Sequence, residues 1–261
     1  MSEAPLDRRE IEAGIRRLAP FHHAVELPHG LTSHDPERSR REIEQVRLES
    51  LWRYVRPLLE EHLGPSLEGR RVLDVGCNCG GFALEAAKLG ADEVTGIDVV
   101  EHYLEQARFL ARATGCSDTT FLQMNVEDLD PAQTGVFDVT FCFDVLWHFE
   151  NPVLSLRRMA GVTRELLIVE TRLTDRDDED EPVWVMAFLP ETTEDALDLS
   201  TSLWRTRRIC EFHPNETAVV ELLTFLGFDA VEPVELTPED RDHRFPDGTK
   251  TGLFAARRSA E

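Results

Sequence analysis

The 261-residue sequence predicts an α/β chain built on a mostly parallel sheet. Three observations carry that expectation. From residue 70 onward, short apolar runs alternate with segments of helical period, the pattern of repeated strand–helix units. The first run leads into a glycine-bearing turn and then a helix. The second run ends on an acid, Asp98.

The elements follow in order. Residues 6–18 read as a short amphipathic helix. Residues 21–35 hold four histidines, His22, His23, His29 and His34, among turn residues and read as a loop. A long helix is expected over 36–63, where Ile43, Val46, Leu51, Tyr54, Val55, Leu58 and Leu59 recur at helical spacing behind an Asp35-Pro36-Glu37 start. Strands are expected at 71–75, 93–97, 120–124, 136–143 and 165–171, and helices near 80–89, 100–114, 151–161 and 215–226. Two more strands, 230–236 and 252–257, close the chain. Between the fifth run and the last helix lies a stretch without clear periodicity, 172–213; connections that long are usually lids or binding insertions. Residues 1–66 are therefore read as an N-terminal helical cap segment and 67–261 as the ligand-binding domain, with the lid insertion at 172–213.

Composition bounds the partners. Lys and Arg number 28 against 50 Asp and Glu, a formal net charge of −22, so a polyphosphate or nucleic acid would be gripped against the field. No apolar window is long enough for a membrane helix. The first ten residues lack the apolar stretch of an export signal, and the five cysteines are irregularly spaced. Both features lead to the expectation of reduced thiols and a cytoplasmic location. Cys77 and Cys79 lack zinc-knuckle spacing, and no metal site is expected.

The segment Val72-Leu-Asp-Val-Gly-Cys-Asn-Cys-Gly-Gly81 is the most informative in the chain. Gly76 and Gly80 permit a tight turn and close backbone approach to a ligand. A phosphate loop would need Gly-Lys-Ser/Thr, which is absent, and the dinucleotide fingerprint lacks its central glycine because Asn78 stands there. Asp74 beside the turn would repel a pyrophosphate but suits a cationic ligand with an amino-acid end. Asp98, at the next strand end, can accept hydrogen bonds from both hydroxyls of a ribose.

With Val94-Thr-Gly-Ile-Asp98, this segment resembles the class I S-adenosylmethionine-dependent methyltransferases, over about residues 70–236. The resemblance implies a Rossmann-like sheet of seven strands with a terminal antiparallel hairpin, and S-adenosyl-L-methionine as cofactor. It implies that Asp74, Gly76 and Cys77 line the methionine end and that Asp98 holds the ribose. Val99 would flank the adenine, Asn125-Val126-Glu127 would edge it, and Phe143 would floor the pocket. Many relatives carry Asp where Asn125 stands. Residues 21–32, the Phe143–Pro152 stretch and Phe212-His-Pro-Asn215 are similar to the tRNA wobble-uridine carboxymethyltransferase-like group, which includes many small-molecule enzymes. That group's tRNA enzymes carry a longer N-terminal extension and a more basic face.

Methyl transfer is an in-line displacement at a sulfonium, so the protein mainly aligns and desolvates the acceptor. His148, after the fourth strand, is the first candidate for a general base, and Asp144 the second. His22, His23 and Glu26 are candidates to cover or bind the acceptor. Trp147 and Trp184, with Phe149, Phe188, Trp204 and Phe212, could make an aromatic pocket. Arg205, Arg207 and Arg208 form a basic cluster that could meet an acidic acceptor group. The expected function is methyl transfer to oxygen or nitrogen of a small-molecule acceptor, with nucleic acid disfavoured, no membrane partner and no oligomeric state indicated. The alternatives are intramolecular cyclisation of the cofactor with release of methylthioadenosine, tRNA wobble-uridine modification, and cofactor binding without catalysis.

Overall fold

The computed structural model describes residues 6–34, 46–116, 118–174, 181–189, 209–238, 240 and 250–259. Its central feature is a seven-stranded sheet of order β10-β11-β7-β6-β3-β4-β5, and the chain divides into two compact units, residues 1–124 and 125–261.

In the first unit, α1 (Arg8–Leu18) opens with Asp7, whose side chain accepts the Glu10 N–H while Glu10 reaches back to the Asp7 N–H. Its buried residues Ile11, Gly14, Ile15 and Leu18 fall on one face, as the sequence spacing requires. The short ladder of β1 (Glu26–Leu27) and β2 (Leu31–Thr32) then turns the chain back. Helix α2 (Val46–Leu63) carries Pro57 and precedes β3 (Arg71–Val75). The units β3–α3 (Gly81–Lys88), β4 (Glu93–Asp98)–α4 (Glu101–Thr114) and β5 (Thr119–Gln123) follow, with β3–β4 and β4–β5 both parallel. α4 anchors the N-terminal segment: the fully buried Gln106 donates from Nε2 to the carbonyls of Leu18 (2.7 Å) and Pro20 (2.8 Å).

In the second unit, α5 (Pro131–Thr134) leads into β6 (Phe137–Phe143), every residue of which is buried. A strand covered on both faces reads as a continuous apolar run rather than an alternation, which is how 136–143 reads in the sequence. Helix α6 (Pro152–Val162) returns the chain to β7 (Thr163–Arg172), parallel to β6. The insertion contains an antiparallel pair, β8 (Trp184–Leu189) with β9 (Ile209–Pro214). Asn215 then caps α7 (Glu216–Phe225) through the Ala218 N–H. The expected terminal hairpin is β10 (Ala230–Val234) with β11 (Thr251–Arg257), and β11 runs antiparallel to β7 as well.

The short helix α5 was not expected, and two further features differ from the sequence reading. Residues 21–35 were expected to be loop and contain the β1–β2 ladder, and the region without periodicity contains β8 and β9. Two-residue strands lie below any periodic signal, and a hairpin's pairing is non-local. The start of the long helix at 36–45, residues 175–180 of the insertion, Trp204 and the arginines 205, 207 and 208 lie outside the described residues.

Candidate functional site

The turn after β3 is held from β4. The Gly76 and Cys77 N–H groups both donate to the Ile97 carbonyl, at 2.9 and 3.0 Å. The backbone then passes through left-handed conformations at Gly76 (φ 68°), Asn78 (φ 50°) and Gly80 (φ 78°). Asn tolerates this region because its short side chain bonds locally; here Asn78 Oδ1 accepts the Cys79 N–H at 2.7 Å. Asp98, ending β4, clasps the turn. Its Oδ2 accepts the Asn78 N–H (3.0 Å) and its Oδ1 accepts the Val100 N–H (2.9 Å). Each carboxylate oxygen has further lone pairs, so Asp98, half-buried at the strand end, can still accept from a vicinal diol.

The N-terminus of α3 decides what kind of ligand fits. Its N-cap is Gly80, which has no side chain to offer the first N–H groups. Two residues from elsewhere supply the acceptors. His23 Nδ1 takes the Gly81 N–H (3.1 Å), and Asp74 Oδ2 takes the Ala83 N–H (3.1 Å). In phosphate-binding turns such N–H groups face the ligand. Here two of them are spent inside the protein, and a carboxylate stands where a pyrophosphate would be repelled.

Electrostatics agree. Asp74 is 2% exposed. Burial pushes its pKa up to about 7; the Ala83 N–H pulls it back and the nearby Asp98 charge raises it further. Burial also raises Asp98, against the N–H groups of Val100, Asn78 and Val99. Two interacting carboxylates, both held above their ordinary range, are relieved by a cation and by hydroxyl donors. An amino-acid ammonium and a ribose diol are such groups, so these residues fit S-adenosylmethionine.

The structure places the other expected residues as follows. The space that a Cβ would take at Gly80 is filled by Phe121 (2.9 Å) and Ala107 (3.0 Å), so its missing side chain serves packing as well as the turn. Cys77 is buried, with its sulfur 2.9 Å from where a Cβ on Gly96 would stand, so its side chain packs toward β4. Burial raises the thiols of Cys77 and Cys79, the latter to about 12, which keeps both protonated near neutral pH. His23, expected at the acceptor, is buried against α3. His22 lies edge-on to it at 5.1 Å. Glu26 is exposed on β1, on the solvent side of its ladder. Val99 is half-buried, and its carbonyl accepts from Gln123 Nε2 (2.9 Å).

Within the 125–261 unit, Asn125 is exposed and caps the turn Val126–Asp128 through the Glu127 N–H (3.0 Å); Val126 is buried and Glu127 half-buried. Phe143 is buried and stacks on Phe141 at 5.1 Å. Beyond β6 the backbone turns left-handed at Asp144 (φ 56°), whose N–H donates to the Glu170 carbonyl. Asp144 Oδ1 accepts from Trp147 Nε1 (3.2 Å), so this carboxylate, expected to be catalytic, also holds the indole.

Trp147 organises a cluster. The His148 ring lies against it, with centroids 3.3 Å apart. The Arg172 guanidinium stands 4.1 Å over it, and His213 approaches edge-on at 6.3 Å. His213 Nε2 is 2.9 Å from Oε2 of Glu211, a buried residue of β9. Trp184 begins β8 opposite Pro214 and is half-buried. Sequence reasoning gave no site role to Glu211, His213 or Arg172, although His213 lies in the Phe212-His-Pro-Asn215 stretch that carries the resemblance. The available signal was the two-residue spacing of Glu211 and His213, which puts both on one face of a strand once 209–214 is read as one. Among the described residues no group of His, Cys, Asp or Glu has metal-site geometry.

The comparisons with known proteins point the same way. A family described as a methyltransferase domain matches residues 66–203. The tRNA U34 carboxymethyltransferase of Methylococcus capsulatus is 30% identical over 97% of this chain and 74% of its own length. The ubiquinone biosynthesis O-methyltransferase of Neisseria meningitidis serogroup C is 39% identical over 98 residues, 38% of this chain and 41% of its own. The chain thus spans about two fifths of the length of such ubiquinone-pathway relatives. Among solved structures, the N-terminal domain of EvdMO1, determined with SAH and D-fucose, superposes with a TM-score of 0.68 at 19% identity over 98% of each chain. The Synechocystis magnesium protoporphyrin IX methyltransferase with bound SAM superposes at 0.60 and 18% identity, over 98% of this chain and all of that one. With the family matched over more than half its length, the chain belongs to the class I S-adenosylmethionine-dependent methyltransferases.

Proposed function

We propose that this protein transfers a methyl group from S-adenosylmethionine to an oxygen or nitrogen of a small-molecule acceptor, in the cytoplasm. The observation that carries the cofactor is the Asp74–Asp98 pair beside a helix two of whose first N–H groups are already taken. The cofactor supplies an activated methyl on a sulfonium. The protein's work is to bind, orient and exclude water. Asp98 accepts from the ribose hydroxyls, and Asp74 lends negative charge to the cationic amino-acid end. Asn125, Val126 and Glu127 are assigned to the adenine edge, and Phe143 to the pocket floor. His148 is assigned as the group that takes the acceptor's proton, with Trp147 beside it as an aromatic wall. Trp184 on β8 is assigned to the acceptor side.

The net charge of −22 supports a small acceptor over a nucleic acid. The relative aligned over 97% of this chain supports a second reading, modification of a tRNA wobble uridine. The test is incubation of the protein with S-adenosylmethionine, alone and then with a panel of small hydroxylated and aminated metabolites or bulk tRNA. Products are followed by mass analysis. S-adenosylhomocysteine formed only with a small acceptor supports the proposal; formation only with tRNA replaces it with the second reading. Methylthioadenosine released without an acceptor would demote methyl transfer altogether.

A further inference from the structure

We propose that His23 is a positioning residue for the cofactor: as a neutral imidazole it latches the N-terminal segment to the start of α3 and so fixes the glycine turn. The inference rests on the methyltransferase reading. Its geometry is specific. The His23 ring is buried, and Nδ1 accepts the Gly81 N–H at 3.1 Å. The His23 backbone N–H donates to Cys79 Sγ at 3.3 Å, so one residue grips the turn on both sides of Gly80. Its carbonyl accepts from Ser33 Oγ (2.7 Å), which in turn accepts the Val25 N–H (2.8 Å) and ties the loop to itself. Phe82 meets the ring edge-on at 5.2 Å, and Trp52 of α2 packs on Phe82 at 6.4 Å.

The fit is mutual. A Cβ on Gly81 would stand 2.5 Å from His23 Nδ1 and 2.8 Å from Cγ, so the second glycine of the pair makes room for this ring. Because Gly80 caps without a side chain, His23 and Asp74 share the task, one at the first helical residue and one at the third. Loss of either acceptor leaves a buried N–H unsatisfied and lets the turn relax. The Asp98 clasp on Asn78 belongs to the same turn, so relaxation reaches the ribose-binding carboxylate.

An imidazolium has no acceptor nitrogen, so protonating His23 breaks the latch. Among the described residues, the ionisable groups near it include His22, the Cys79 thiol, which burial keeps neutral, and Asp74, which caps the same helix; Glu85 and Lys88, further along α3, pair with each other at 2.6 Å. Asp74, raised to about 7, titrates between the two pH values used below, so the comparison must be made between variants rather than from one profile.

The experiment measures S-adenosylhomocysteine affinity by calorimetry at pH 8 and pH 5.5 for the wild type, His23→Leu and His23→Asn, with melting curves for each. Leu keeps the bulk and removes the acceptor. Asn places an amide oxygen near the Nδ1 position and does not titrate. The expected result is that His23→Leu weakens binding about tenfold at pH 8, the worth of one buried hydrogen bond. His23→Asn restores most of it, and its affinity falls less than the wild type's between pH 8 and pH 5.5. Wild-type affinity in His23→Leu, or equal weakening in both variants with parallel pH profiles, would overturn the latch and leave the methyltransferase reading standing. If the wild type itself fails to bind at pH 8, both fall.

Discussion

Replacing Asp74 by Asn is expected to stabilise the cofactor-free protein and to weaken its ligand. The reason lies in the carboxyl's raised pKa. In the unfolded chain it titrates near its reference value of 3.8; in the folded protein, at about 7. Between those values the folded state holds a proton that the unfolded state has lost. Stability therefore falls as pH rises from 3.8 to 7 and levels off above. Asn carries no such dependence but can still accept the Ala83 N–H. From pH 5 to pH 8.5 the wild type crosses about two of the three units, so Asp74→Asn should gain about 3 kcal/mol on it over that interval, as an upper figure. At this chain length that is about 5 °C of melting temperature. Thermal denaturation of both proteins at the two pH values reads the difference directly. Using the change in the gap cancels whatever the amide itself costs. A gap that stays constant with pH, or narrows toward pH 8.5, would refute the assignment of a strained carboxylate at this position. The same variant should bind S-adenosylmethionine less tightly, because the charge that destabilises the empty protein is the charge the ligand's cation relieves.

Three further outcomes follow from the geometry. Gly80→Ala combines a left-handed backbone with a Cβ 2.9 Å from Phe121, and should cost about 2–4 kcal/mol in chemical denaturation, whereas Gly115→Ala, at a similar φ with nothing within 4 Å, should cost only about 1 kcal/mol. Asp98→Ala removes the clasp on Asn78 and Val100 as well as the ribose acceptor, so calorimetry should show S-adenosylhomocysteine affinity reduced by about a hundredfold or more. Trp147→Phe keeps an aromatic face for Arg172 but deletes the bond to Asp144; it should cost about 1 kcal/mol in stability, against about 3–5 kcal/mol for Trp147→Ala.

The centre of the sheet was legible because its strands are buried on both faces and punctuated by turn residues. Strand β3 stands where the run at 71–75 places it, and β6 is apolar along its length. The cofactor turn was legible because Asp74, Gly76, Gly80 and Asp98 sit at fixed offsets on consecutive strand–helix units. What the sequence hid is long-range pairing. Nothing near His23 announces that its ring ends on Gly81, 58 residues away. Nor does anything near Cys77 and Gly80 show that Gly96 and Phe121, from other strands, pack against them. Asp144 and His148 lie one helical turn apart in a loop, and only the folded chain shows that the first is held by Trp147. The Glu211–His213 pair stayed hidden because β9 depends on β8 for its existence, and pairing across an insertion leaves no local period.

The most direct test of the central claim is a calorimetric titration of the protein with S-adenosylmethionine near pH 7, repeated in two buffers of different ionisation enthalpy. A cation bound beside Asp74 must lower that group's pKa, so the account predicts saturable binding accompanied by proton release from the protein. Absence of binding, or binding with proton uptake, would contradict it.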